Sequence, residues 1–378
     1  MRKHSTKTLV CACAASALAA VLLALCALFF FFGGSAGTSF MLKINAVRSV
    51  IDEHYIGTAN WEEIENAAAG AMVESLGDRW SYYMTAEHYE IYKNYAQNTS
   101  RGIGVTVSKD EETGGFLIEA VSEDSPAQRA GLSVGDVILS VAGAEVKELD
   151  VQGIREAIHA QPGDFEITAL SGGAMKTVMI SVGIVFSDPV SYEMLEDGIG
   201  YIKIKNFEAG AASGAIAAVE ALMQDGAAAL VIDVRGNPGG KLSELIELLD
   251  HILPQGDLFI SVSEDGSERV YTSDESCVAL PMAVLINADS YSAAEFFAAA
   301  LSEYDWAVVV GQASTGKSRS QVTMELFDGA AVHISTRRYL TPGRFDLAER
   351  GGFAPDIEVL DAEEGDPQLA AAILQLLQ

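Results

Sequence analysis

From about residue 184 onward, short apolar strands alternate with helices, and this constrains the fold more than any other feature. Strand patterns fall at residues 200–207, 229–234, 282–287 and 307–310. Helical patterns fall at 211–224, 241–253 and 293–303. Such alternation implies an α/β core with largely parallel pairing. Two more strands, at 322–327 and 331–337, meet at Asp328-Gly329, a hairpin signal. Residues 368–377 read as a short, apolar-striped helix that ends the chain.

Upstream the pattern differs. Ile44, Val47, Val50 and Ile51 recur at helical spacing, residues 61–76 form a second amphipathic helix stopped by Gly77, and Thr85 caps a third. Near Arg101 the chain changes to glycine turns and short strands. The segment Arg101-Gly102-Ile103-Gly104-Val105 opens this region, with strands at 116–121 and after Gly135-Asp136, a short helix ended by Gly131, and a helix at 151–160. The backbone N–H groups of residues 101–105 are candidates to hold a peptide's terminal carboxylate while the peptide adds as an edge strand.

The first residues are basic (Arg2, Lys3, Lys7), and residues 8–32 carry no charge. A run of that length can cross a hydrocarbon core of ~30 Å. The expectation is therefore one transmembrane helix at 8–32 with a cytoplasmic tip at 1–7 and the remainder extracytoplasmic, a single-pass cell-membrane protein. Three of the four cysteines lie in that run, so Cys277 is left without an intrachain partner beyond it. A formal net charge of −29 argues against nucleic acid, which needs clustered Lys and Arg. The six histidines are scattered without metal-ligand spacing, and neither a metal nor a cofactor is implied.

Candidate chemistry concentrates in three places. Ser292 sits where an apolar strand gives way to an alanine-rich helix. Lys317 follows the next strand in Gly316-Lys317, with Gln321 just beyond, and Asn237-Pro238-Gly239-Gly240 forms a glycine turn. Serine needs a base to become a nucleophile. Lysine can serve if burial brings its pKa from ~10.4 to near 7. Gln321 could hold the amine without adding charge. The N–H groups of Ala293 and of Gly239 or Gly240 are candidates for an oxyanion hole. By itself Ser292-x-x-Glu295 is a capping box and the glycine turn an ordinary strand-to-helix turn. The order and spacing of all three favour catalysis.

In these motifs the chain resembles the carboxyl-terminal processing, or tail-specific, proteases. The resemblance runs from about Met41 to Val359. It rests on the 101–143 stretch, Asp233-Val234-Arg235-Gly236-Asn237-Pro238-Gly239-Gly240, Ser290-Tyr291-Ser292-Ala293-Ala294-Glu295, Gly316-Lys317 with Gln321, and Gly351-Gly352-Phe353-Ala354-Pro355-Asp356. It implies a ClpP/crotonase-like α/β protease core with an inserted PDZ domain. The expected layout is an N-terminal helical segment at 38–96, PDZ domain at 97–183, serine protease core at 184–366 and C-terminal helix at 367–378. It also implies protein or peptide substrates with apolar C-termini, docking that helps switch the protease on, and homo-oligomers through the terminal helices. The chain departs from the family at Ser318, where a glycine is usual, at Tyr291 and Ala294, and at His159-Ala160, where an arginine–glycine pair is common.

Two other readings stand beside it. Gly311-x4-Gly316-Lys317-Ser318 satisfies the P-loop pattern of an NTPase. A P-loop must open a helix, whereas residues 322–327 alternate as a strand. The second alternative is a catalytically silent, membrane-tethered PDZ adaptor.

Overall fold

The computed structural model describes residues 14–24, 34–362 and 364–378. They divide into two compact units, Met1–Met72 and Val73–Gln378. In the first, residues 14–24 are helical and Gly34–His54 forms a longer helix. Among the described residues no helix is long and apolar enough to cross a membrane. The expected transmembrane helix is thus not supported. Of 8–32, residues 8–13 and 25–32 lie outside the described residues. The expected cytoplasmic tip at 1–7 also lies outside them.

The second unit is built on a six-stranded sheet. Its parallel strands Ile199–Ile204, Ala229–Asp233, Met282–Ile286, Ala307–Gly311 and Ile357–Glu358 lie side by side, and Val190–Met194 pairs antiparallel at one edge. The two central strands are buried along their whole length, which accounts for their unbroken apolar runs. One face packs on helices Ala211–Gln224, Leu242–Ile252 and Ala293–Glu303. The other receives the C-terminal helix Pro367–Leu376 through Leu369, Ala372 and Ile373.

A second, antiparallel sheet contains Tyr82–Met84, Ala331–Leu340, Asp257–Val262 and Glu268–Thr272, with Arg319–Glu325 paired to Ala331–Leu340. Helix Ala293–Glu303 lies between the sheets, buried at every residue from Ala293 to Leu301. Phe296 meets Phe259 and Tyr339 of the antiparallel sheet edge-on, at 4.9 and 6.0 Å between ring centres. A helix buried all round is apolar all round, hence its alanines and phenylalanines. The segment after Lys317 is a strand, Arg319–Glu325, which removes the P-loop reading.

A separate β-domain is inserted through two paired strands, Thr99–Gly102 and Gly183–Phe186. Its six-stranded sheet runs from Val105–Lys109 to Ala174–Ile180. Phe116, Ile118, Ile138 and Ile167 form its core with Ile154 and Ile158 of helix Val151–His159.

Candidate active site

Three loops leave the carboxyl ends of neighbouring parallel strands, where open α/β sheets gather their functional groups. The loop after Ala229–Asp233 carries the glycine turn, that after Met282–Ile286 carries Ser292, and that after Ala307–Gly311 carries Lys317. Cross-bonds fix them together. Tyr291 N donates to Asn237 O at 3.1 Å and Thr315 N to Ser290 O at 3.1 Å. Gly236 N donates to Asn287 Oδ1 at 2.9 Å, and Ser290 Oγ to Val234 O at 2.8 Å. Gly352 of the Gly351-Gly352 pair explains itself here. A Cβ on Gly352 would lie 2.2 Å from Ser314 O, so the segment can pack on the lysine loop only as glycine.

Ser292 has φ 57° and ψ −123°, a sparsely populated conformation for a residue with a Cβ. Such strain costs of order 1–3 kcal/mol and persists where surroundings enforce it. Here the enforcing group is Glu295, whose carboxylate is fully buried. One oxygen accepts from Ser292 N and Lys317 N, each at 2.8 Å. The other accepts from Ser314 Oγ at 2.5 Å and Gly316 N at 2.6 Å. A residue legible in the sequence as half of a capping box thus also ties the serine loop to the lysine loop.

Ser292, Lys317, Gln321, Gly239, Gly240 and Ala293 all line one cavity of about 500 Å³. A Cβ on Gly239 would lie 2.8 Å from Ser292 Cβ, so the glycine turn abuts the serine. Gly239 N donates to Asn237 Oδ1 at 2.8 Å and is therefore engaged. Among the described hydrogen bonds, the N–H groups of Gly240 and Ala293 have no acceptor, which leaves them as the candidates for an oxyanion hole within the expected set.

Burial holds Lys317 below the ordinary lysine range. Glu295 and Asp78 oppose that shift and Arg79 adds to it. Its ammonium lies 4.7 Å from the ring centre of Trp80 and 5.6 Å from that of Tyr291. Among the described hydrogen bonds none joins Lys317 Nζ to Ser292 or Gln321. Gln321 Nε2 donates instead to Arg319 O and Ser335 Oγ, both at 3.0 Å. The expected hydrogen bond from Gln321 to the amine is not made in this state, in which two aromatic faces hold the lysine.

The cavity contains residues that sequence reasoning passed over. His333 lies against Tyr82 in a tilted arrangement, 4.7 Å between ring centres, and shares a 2.8 Å hydrogen bond with Thr323 Oγ1. Burial and then Lys317 push its pKa down to about 4. Glu208, largely buried on the cavity wall, is pushed up to about 7 by burial and Glu244, against Lys241 and Lys317. Trp80 and His333 carry no motif. The pairing of Tyr82–Met84 with Ala331–Leu340 brings the turn that carries Trp80 and the strand that carries His333 together. Further out, Arg235 joins buried Asp233 to Asp366 and so ties the glycine turn to the last helix.

Residues 198–359 match peptidase family S41, and residues 117–168 match the PDZ domain. The carboxy-terminal processing protease CtpA of Bacillus subtilis is 29% identical over 311 residues, covering 81% of this chain and 66% of its own length. Carboxyl-terminal-processing peptidase 2 of Arabidopsis thaliana, a chloroplastic protein, is 28% identical over 79% of this chain and 61% of its own length. The chain thus spans under two thirds of the length of these curated relatives. A solved structure of a candidate S41 protease from Bacteroides fragilis superposes with a TM-score of 0.54 at 17% identity, covering 82% of this chain and 90% of that one, a likeness of fold. Over residues 198–359 the chain is thus similar to peptidase family S41, and over residues 117–168 to the PDZ domain.

Proposed function

We propose that the chain is a serine endopeptidase that cleaves proteins near their C-termini by a serine–lysine mechanism. The observation that carries this reading is the single cavity in which Ser292, Lys317 and Gln321 meet the Gly239-Gly240 turn. Lys317 takes the proton of Ser292 Oγ, which attacks the scissile carbonyl. The N–H groups of Ala293 and Gly240 hold the oxyanion, where a helix N-terminus adds favourable partial charge. Lys317 then protonates the leaving amine, and water hydrolyses the acyl-enzyme. The aromatic hold on Lys317 marks a resting arrangement, so the proposal includes its swing from Trp80 to Ser292, with Gln321 turning to receive it.

The PDZ domain supplies tail recognition in this reading. A cavity of about 550 Å³ is lined by Arg101-Gly102-Ile103-Gly104-Val105 and helix Val151–His159. Among the described hydrogen bonds the N–H groups of Ile103 and Gly104 donate to no acceptor, which suits a terminal carboxylate. An extracytoplasmic site of action is also part of the proposal. It is supported by the basic, then uncharged, N-terminal sequence and is tested by access of an added protease in intact cells.

The test is cleavage of an unstructured protein with an apolar C-terminus by the full-length chain, beside Ser292→Ala and Lys317→Ala. Loss of cleavage in both folded variants supports the mechanism. Cleavage surviving in both refutes it, and a silent wild type that still binds tails favours the adaptor reading.

A further inference from the structure

The tail-binding groove contradicts the charge of the molecule around it. The chain has 53 acidic and 24 basic residues. Yet the groove lining contains Arg101, Arg155 and His159 and no Asp or Glu. Among the described residues neither Arg101 nor Arg155 forms an ion pair with a carboxylate. In so acidic a chain, two arginines left without a carboxylate beside an open groove point to a carboxylate arriving from outside.

The geometry also gives the position along the tail. The outer edge of strand Val105–Lys109 is unpaired, since its one partner is Phe116–Val121. A peptide adding there with its terminal carboxylate at the Gly102–Gly104 loop would run between that edge and helix Val151–His159. His159 marks the carboxylate end, its Nε2 lying 3.9 Å from where a Cβ on Gly102 would be. Arg155 is four residues back, about 6 Å along the helix. An extended peptide rises about 3.3 Å per residue, so Arg155 lies level with the residue two before the last. Ile154 and Ile158, each next to one of these positions on the helix, give the groove an apolar floor, suited to an apolar last residue.

We infer that the groove selects C-terminal tails bearing an acidic side chain two residues before an apolar last residue, with Arg155 as the selecting group. This rests on the tail-docking reading above and narrows it to a class of tail.

The test uses the full-length chain with Ser292→Ala, so that binding is measured without cleavage. Fluorescence anisotropy compares dye-labelled octapeptides ending in an apolar residue and differing two residues before it: Glu, Ala or Lys. A fourth carries Glu and a C-terminal amide. The Glu peptide is expected to bind about fivefold tighter than the Ala peptide, and the Lys peptide more weakly than either. Adding Arg155→Glu, a change at an exposed position, should invert the Glu–Lys order. Equal affinities for Glu and Lys tails, an order unchanged by Arg155→Glu, or no binding of any peptide would each overturn the inference. The amidated peptide reports separately on tail docking. If it binds as well as the free acid while Glu still beats Lys, carboxylate capture fails and the role of Arg155 stands.

Discussion

Glu295→Gln should loosen the proposed nucleophile, Ser292, and the proposed base, Lys317, together. The buried carboxylate accepts four hydrogen bonds, two on each oxygen. An amide keeps one acceptor oxygen and presents N–H₂ to the other pair. If that pair is Ser292 N and Lys317 N, two backbone donors lose their acceptor. If it is Ser314 Oγ and Gly316 N, the hydroxyl can turn to accept, and one donor is stranded. A stranded buried donor costs ~1–3 kcal/mol, and the remaining bonds lose their charge assistance. Relief of burying a carboxylate offsets part of this, leaving a loss of about 3 kcal/mol. In a unit the size of Val73–Gln378, that lowers Tm by about 6 °C, at ~2 °C per kcal/mol. Because one oxygen fixes both Ser292 N and Lys317 N, kcat/KM should fall about 100-fold, the expected effect of a displacement near 1 Å. Glu295 also raises the pKa of Lys317, so the acid limb of the pH–kcat/KM profile should move to lower pH. Calorimetry and a pH–rate series provide the assay. A Tm within about 1 °C of wild type, with kcat/KM within about threefold, would refute the argument that Glu295 couples the two loops.

Three further outcomes follow from the site. Lys317→Met should abolish cleavage while leaving Tm equal or higher at neutral pH. The folded-state pKa of Lys317 lies below its unfolded value, so its charge opposes folding at low pH and the apolar replacement removes that opposition; a marked fall in Tm would contradict this. Gly239→Ala should lower kcat at least about 100-fold, because at φ +85° its Cβ would press on Ser292; near-normal turnover in steady-state assays would rule out that close approach. His333, held at about 4 in the fold against an ordinary 6.5, contributes stability that is present above pH 6.5 and lost as pH falls toward 4. Urea midpoints should therefore fall less steeply over that window in His333→Phe than in wild type, and parallel curves would exclude the effect.

The parallel core was legible because strands buried on both faces read as unbroken apolar runs, and their order along the chain matches the sheet. The three loops were legible because serine before an alanine-rich helix, a glycine turn and a lysine after a strand are local patterns. The antiparallel sheet was only half visible. Its hairpin at Asp328-Gly329 has a turn signal, whereas strands Asp257–Val262 and Glu268–Thr272 were passed over although Asp265-Gly266 separates them. An uncharged run at 8–32 satisfied a composition rule for spanning a membrane, but among the described residues no helix is long and apolar enough to do so.

Sequence by itself determined the α/β alternation, the inserted β-domain, and the identity and order of Ser292, Lys317, Gln321 and the glycine turn. Tertiary structure alone decided what surrounds them. Trp80 reaches Lys317 across 237 residues of chain, and Glu295 serves two loops rather than one helix end. Among the described hydrogen bonds it is Gly240 rather than Gly239 whose N–H has no acceptor, and Gln321 rests on Ser335. The physical reason is that local sequence sets backbone conformation over a few residues. Which side chains share a cavity depends on which strands pair, and that is settled by burying the whole of both sheets at once.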